Sequence, residues 1–212
     1  MQYSFRCLCL LACLLAACTV PPQRAYRELT DLLELLPGNY SGVAPVPRAT
    51  DGSTQAIHHK IAPIDAPQFG ARVYYYQLST GGPDGRPLQQ KIFAFDSGQE
   101  RAGNRMRAWI FAPGQVAANL EQRPGDWNAV DPATMLSFPE ACAFQWSSLP
   151  RGFEGVVART RCTFESRGFG QAVSPDMRYA VFPDRFEWEE SLYGADGQVL
   201  ASTGGKLVAS RD

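Results

Sequence analysis

The chain has 212 residues, and its 20 Lys and Arg side chains nearly balance its 21 Asp and Glu side chains. The basic residues form no block, which argues against nucleic acid as a partner and against electrostatic attachment to a membrane. The length suits one large domain or a single barrel.

The beginning of the chain is typical of a secreted bacterial lipoprotein. Residues 7–17 form an apolar block that is too short to cross a bilayer, because crossing takes about 20 residues. The block ends with Leu-Ala-Ala before Cys18, a pattern that resembles a lipobox. We therefore expect a lipoprotein signal peptide at residues 1–17, lipidation at Cys18 and a tether at residues 18–24. An ordinary signal peptide that is cut nearby is the alternative.

This leader predicts a protein of the cell envelope that is attached to a membrane through its lipid anchor. Thr19 rather than Asp follows Cys18, which favours the periplasmic face of the outer membrane. Cys142 and Cys162 are the two cysteines that lie beyond the leader and Cys18. In an oxidising compartment we expect them to form a disulfide. The alternative is a pair of reactive thiols or an attachment point for a ligand.

Residues 25–36 predict a short N-terminal helix, because apolar side chains recur there at a helical spacing. These side chains are Leu29, Leu32, Leu33 and Leu36. Pro37 and Gly38 are expected to end the helix. We expect the helix and everything after it, residues 25–212, to form a single domain.

From Gly38 onward, short segments with apolar or aromatic residues at every second position are separated by turn signals. Two segments show the alternation: Val73, Tyr75 and Gln77 oppose Tyr74, Tyr76 and Leu78, and Lys91, Phe93 and Phe95 oppose Gln90, Ile92 and Ala94. About ten such strands over residues 38–208 predict a mainly β protein, either an antiparallel barrel or a sandwich.

Aromatic side chains on these strands share a face with Arg, Lys, Gln and Glu. Such a mixture suits a ligand cavity with an apolar body and a few polar anchors, and a barrel of eight to ten strands is about the size that holds one small molecule. We therefore favour a barrel with a ligand cavity. The alternative is a filled core in which long polar side chains reach the rims.

Short motifs over residues 29–207 follow one another in a recognisable order. They are Leu36-Pro37-Gly38-Asn39-Tyr40-Ser41, Val73-Tyr74-Tyr75-Tyr76-Gln77, Pro87-Leu88-Gln89-Gln90-Lys91-Ile92-Phe93, Cys142, Phe153-Glu154-Gly155 with Cys162, and Tyr193-Gly194. In order and spacing they resemble the CpcT/CpeT family of phycobiliprotein chromophore lyases, here as a secreted lipoprotein member. The resemblance implies an antiparallel, calyx-like β-barrel related to lipocalins.

Characterised members of that family hold a linear tetrapyrrole (a bilin) and deliver it to a cysteine of a phycobiliprotein as a thioether. This chain departs from the family at positions expected to contact the chromophore. Leu88 and Lys91 replace a Tyr and an Arg, and Tyr76 replaces a Glu. Lys91 offers a point charge where Arg would hold a carboxylate with two parallel bonds. The resemblance therefore implies the fold more strongly than the lyase chemistry.

The ligand-binding residues expected from these motifs and faces are Tyr40, Tyr75, Gln77, Lys91, Phe93 and Trp109. No catalytic residue is assigned. Candidate proton donors are Asp184, Glu187, Glu189 and Glu190, although acidic residues on strands are more often solvated.

The two histidines, His58 and His59, are adjacent, so on a strand they point to opposite faces and do not easily bind one metal. We expect no metal site and no cofactor other than a possible bilin ligand. For the histidines a surface role is favoured, and the alternative is that one of them lines the cavity.

Three functions are compatible with the sequence. The first is a lipid-anchored barrel that binds an amphipathic small molecule, by resemblance a bilin. The second is an active bilin lyase that acts on a cysteine of an acceptor protein. The third is a non-enzymatic envelope lipoprotein whose barrel is filled and whose surface contacts other proteins.

Overall fold

The structure is a computed structural model that describes residues 22–46, 49, 51–96, 104–111, 124–166 and 168–212. The predicted signal peptide, the lipidation of Cys18 and most of the predicted tether lie outside these residues. None of the helices within them has the length and apolar character needed to cross a bilayer.

One α-helix precedes a β-rich domain. Helix α1, Pro22–Leu35, begins three residues before its predicted start and ends before Pro37, as predicted. The strands that follow are β1 Gly38–Pro45, β2 Thr54–Ile64, β3 Arg72–Thr80, β4 Arg86–Phe95, β5 Asn104–Ile110, β6 Leu136–Ser137, β7 Phe144–Leu149, β8 Gly152–Val157, β9 Phe164–Ser166, β10 Gln171–Val181, β11 Arg185–Gly194, β12 Val199–Ser202 and β13 Leu207–Arg211. Short 3-10 helices lie between β5 and β7, at Pro124–Ala129, Pro132–Thr134 and Glu140–Cys142.

The strands close into an antiparallel barrel. Ten of them form the ring in the order β11-β13-β1-β2-β3-β4-β5-β7-β8-β10, and the pairing of β10 with β11 completes it. Strands β9 and β12 extend the sheet beyond the ring, and β6 pairs with β5. The predicted calyx-like β-barrel with a short N-terminal helix is therefore confirmed.

Helix α1 packs against the barrel end from which β1 starts. Leu32 of the helix and Leu36, the residue that follows the helix, are fully buried within the inner core. Arg211 of β13 donates to the carbonyl oxygens of Leu35 at 2.5 Å and Pro37 at 2.8 Å, so it satisfies acceptors that the helix end leaves open. The two chain regions that meet here are separated by 174 residues.

Apolar side chains form two cores, one on each face of β3, β4 and β5. The inner core lies inside the barrel and includes aromatic residues from strands all round the ring. The outer core consists of Ala66, Phe69, Val73, Tyr75, Ile92, Ala94, Trp109, Trp127 and Met135, and the 3-10 segment at Pro124–Ala129 contributes to it.

A disulfide joins Cys142 and Cys162, as predicted, with 4.7 Å between their Cα atoms. Both cysteines are buried in the inner core. The bridge connects the segment before β7 to the segment after β8.

Candidate functional site

A charged side chain lies deep inside the barrel. Lys91 is only 1% exposed, because the alternation of β4 places it on the inner face together with Phe93 and Phe95. Its Nζ donates to the Tyr179 hydroxyl at 2.8 Å and to Glu190 Oε1 at 3.1 Å. An ammonium group at this depth is costly unless it is paired and hydrogen-bonded, so these two partners are essential to its placement.

Glu190 of β11 is the acidic partner in this cluster. Its side chain is 25% exposed, whereas that of Lys91 is 2% exposed, so Glu190 is the partner whose side chain borders solvent. The hydroxyl of Tyr179 also donates to Glu190 Oε1. Burial by itself would raise the pKa of Glu190, but the charge of Lys91 and the hydrogen bonds from Tyr179 and Lys91 outweigh it and hold the pKa below its usual value.

His59 of β2 lies next to this cluster and is fully buried. Its Nδ1 is 3.0 Å from the Tyr76 hydroxyl, and its Nε2 has no hydrogen-bond partner. Burial, reinforced by the positive charges of His58 and Lys91, lowers the pKa of His59 to about 3. The imidazole is therefore neutral at neutral pH, and it leaves an unused polar atom inside the barrel.

Aromatic rings surround the polar groups. The Trp188 ring lies 4.1 Å from His59, and the Phe144 ring stacks on Tyr179 at 4.6 Å between centroids. Lys91 Nζ lies 5.5 Å from the ring centroids of both Tyr76 and Tyr179. Burial is the main cause that raises the pKa of each tyrosine well above its usual value, so both hydroxyls stay protonated.

The structure places three of the six predicted ligand-binding residues on the inner face: Lys91, Phe93 and Tyr40. The hydroxyl of Tyr40 is already engaged at the end of α1, since it donates to Leu36 O at 3.0 Å and accepts from Arg211 at 2.7 Å. Burial raises the pKa of Tyr40 to about 12 against the opposing effect of Arg211. Lys91 belongs to the polar cluster, and Phe93 lies beside it.

The other three residues, Tyr75, Gln77 and Trp109, lie on the outer face of the same sheet, so the structure does not bring the six together. Tyr75 and Trp109 belong to the outer core. Trp109 also lines a cleft of about 460 Å³, together with Asp96, Arg107, Ala108, Ser137, Phe138 and Glu140.

Sequence reasoning missed His59 and Tyr179. The expectation of a surface role for the histidines is wrong, because both are buried. His59 lies between Ile57 and Ile61 at every second position of β2, so the three side chains share one face. This period-two pattern was the signal that could have placed His59 inside the barrel. Glu190, one of four candidate proton donors, is the one whose carboxylate joins Lys91 and Tyr179.

His58 does not form a catalytic relay. Its Nδ1 lies 3.2 Å from Ser41 Oγ and 3.5 Å from Asp212 Oδ2, so serine and carboxylate approach the same ring nitrogen. A hydrolytic triad uses the two ring nitrogens separately. In the part of the chain that the structure describes, no three His, Cys, Asp or Glu side chains are grouped so as to hold a metal ion.

Solved structures of other proteins have a similar fold. The CRL protein of Arabidopsis superposes on this chain with a TM-score of 0.59 and 12% identity, covering 92% of this chain and 100% of that protein. The chain shares the fold of CRL. At this identity the likeness concerns the fold alone.

Two further structures are similar over most of the chain. The T-type phycobiliprotein lyase CpeT from Prochlorococcus phage P-HM1 has a TM-score of 0.46 and 11% identity, covering 87% of this chain and 97% of that one. Rv2717c from M. tuberculosis has a TM-score of 0.47 and 13% identity, covering 92% of this chain and 99% of that one. No family model matches the chain, and no curated protein matches it in sequence.

Proposed function

We propose that the barrel binds an amphipathic small molecule, with a carboxylate on an apolar or aromatic body, at the cluster of Lys91, Tyr179 and Glu190. The observation that carries this proposal is the charged pair inside an aromatic barrel. Apolar side chains of similar volume generally stabilise a core at least as well as a buried ion pair. Stability alone therefore does not account for Lys91.

The chemistry of the cluster supports an anionic ligand. Lys91 Nζ and the Tyr179 hydroxyl are donors that already converge on one carboxylate oxygen, that of Glu190. The rings of Tyr76, Phe93 and Trp188 line the same interior and offer an apolar surface to the ligand body. Small-molecule sites commonly combine such a lining with a few placed polar groups.

A linear tetrapyrrole is one member of this ligand class, since it carries carboxylates on a conjugated body. We extend the proposal to it on the sequence resemblance to the CpcT/CpeT family. Transfer of the ligand to a cysteine of an acceptor protein is a separate step, and no contact among the described residues favours it over binding alone.

A fluorescent fatty acid tests the binding proposal. Titration of the purified domain, residues 22–212, with cis-parinaric acid is expected to give saturable fluorescence enhancement, and Lys91→Met is expected to weaken binding of the acid about tenfold or more. The methyl ester of the same probe is the matched control, because it lacks the charge. Absence of saturable binding of either probe would favour a filled barrel that acts through its surface.

We propose in addition that the full chain is an envelope lipoprotein anchored through Cys18. This proposal rests on the apolar block and the lipobox-like sequence at its end. Metabolic labelling with palmitate in a bacterial host is expected to mark the full chain and not its Cys18→Ala variant. Equal labelling of both would contradict the anchor.

A further inference from the structure

The Lys91–Glu190 contact joins two strands on opposite sides of the barrel, β4 and β11. In the ten-stranded ring, β4 and β11 are five strands apart in either direction, so they face each other across the interior. The two residues are 99 positions apart in the chain, yet their charged groups lie 3.1 Å apart. Tyr179 of β10 is bonded to both. The interior is therefore spanned by a polar crossbar, defined here as Lys91, Tyr179 and Glu190.

The two ends of the crossbar differ in their freedom to move. Lys91 is enclosed by the rings of Tyr76 and Tyr179 and has almost no exposed surface. Glu190 is a quarter exposed, so its side chain lies at the end of the crossbar that borders solvent. An ionised carboxylate regains hydration when it turns outward, whereas the ammonium of Lys91 does not have that option.

We propose that Glu190 is an internal competitor for the ligand, an inference that rests on the binding function proposed above. In the ligand-free protein its carboxylate occupies the place on Lys91 and Tyr179 that a ligand carboxylate takes in the complex. Binding exchanges one carboxylate for another and turns Glu190 toward solvent. The site thereby favours molecules that present a carboxylate on an apolar body over neutral molecules of the same shape.

The energetics of the exchange explain why a competitor is useful. Removing one partner of a buried ion pair leaves an uncompensated charge, which is strongly destabilising. With Glu190 in place, Lys91 is paired in both the free and the bound protein. The cost is a lower apparent affinity, because the ligand must displace a carboxylate that is already bound.

The Glu190→Gln variant tests the competition. The amide still accepts a hydrogen bond but carries no charge, so it competes weakly with an anion for Lys91. We expect cis-parinaric acid to bind the variant about tenfold more tightly than the wild type, and its methyl ester to bind both equally. Fluorescence titration of each protein with each probe gives the four dissociation constants.

The neighbouring residue provides a matched control. Glu189 precedes Glu190 on β11 and lies on the opposite face of the strand, so Glu189→Gln removes the same charge outside the barrel. It is expected to bind both probes as the wild type does. If Glu190→Gln does not fold, as judged by circular dichroism, the double variant Lys91→Met with Glu190→Leu removes both charges and is expected to bind acid and ester with equal affinity.

The outcomes separate the two proposals. If the wild type binds the acid and Glu190→Gln binds it no more tightly, the competitor role is wrong and the binding function stands. A double variant that still prefers the acid would also overturn the competitor role. If neither probe binds the wild type or any variant, the binding function itself is wrong.

Discussion

The inner and outer faces of β3 and β4 both carry polar side chains, but of different kinds. On the outer face, the Tyr75 hydroxyl donates to Gln77 Oε1 at 2.6 Å, and Gln77 Nε2 donates to Ser79 at 2.9 Å. Gln90 Nε2 donates to the Tyr75 hydroxyl at 2.5 Å. These groups are neutral and satisfy one another, as buried polar groups do in a structural network.

The inner face instead holds a charged pair and a histidine nitrogen without a partner. Lys91 and Glu190 are bonded across the interior, and His59 Nε2 is left unsatisfied. Charge and an unused polar atom in an apolar interior cost stability. The outer network therefore satisfies its own polar groups, whereas the inner cluster carries a cost that the proposed binding function would account for.

The largest expected effect is the loss of stability when a residue of the inner face is replaced, compared with a residue of the outer face. Glu190→Ala leaves Lys91 buried without a counter-charge and is expected to lower the free energy of unfolding by about 3–5 kcal/mol. Gln77→Ala on the outer face removes neutral hydrogen bonds and is expected to cost about 1 kcal/mol. Urea unfolding followed by circular dichroism measures both. Equal losses would mean that the inner pair is no more critical than the outer network.

The disulfide gives the next largest effect, and it belongs to the inner core. Replacing Cys142 and Cys162 by Ser removes a crosslink between two residues that are 20 positions apart in the chain. We expect the free energy of unfolding to fall by about 3 kcal/mol. Reducing the wild-type protein should reproduce this loss. An unchanged urea midpoint after complete reduction, checked by thiol titration, would show that the inner core holds without the bridge.

The smallest effect, counted per pH unit, is the dependence of stability on pH that His59 of the inner face produces. The folded protein keeps His59 neutral down to about pH 3, whereas the unfolded chain takes up a proton near pH 6.5. The loss that His59 causes begins as the pH falls through 6.5 and grows by about 1.4 kcal/mol per pH unit toward pH 3. His59→Gln is expected to show a shallower decline between pH 6.5 and 4.5.

Gln77→Ala is the control for this measurement, since it removes no titratable group and should keep the wild-type slope. Below pH 4.5 the lowered pKa of Glu190 adds to the loss, because its stabilising charge is present above the unfolded pKa and disappears as the pH falls through the folded one. A wild-type slope in His59→Gln above pH 4.5 would contradict the assignment to His59.

Much of the fold could be predicted from local patterns. The leucine spacing predicts α1, and the alternation in residues 72–78 predicts which side chains of β3 share a face. The disulfide followed from counting the cysteines beyond the leader. The site was harder to predict, because aromatic and polar residues occur on both faces, and alternation alone does not say which face is inside. Tyr75 and Trp109 were therefore grouped with Lys91 although they belong to the outer core.

The sequence by itself determined the strands, their two faces and the helix before them, because these depend on residues a few positions apart. Only the tertiary structure decided that β4 lies opposite β11 and that Lys91 meets Glu190. That meeting depends on the number of strands in the ring and on the pairing of β10 with β11. Ring closure is a property of the whole sheet, so no local pattern along the chain encodes which side chains meet across its interior.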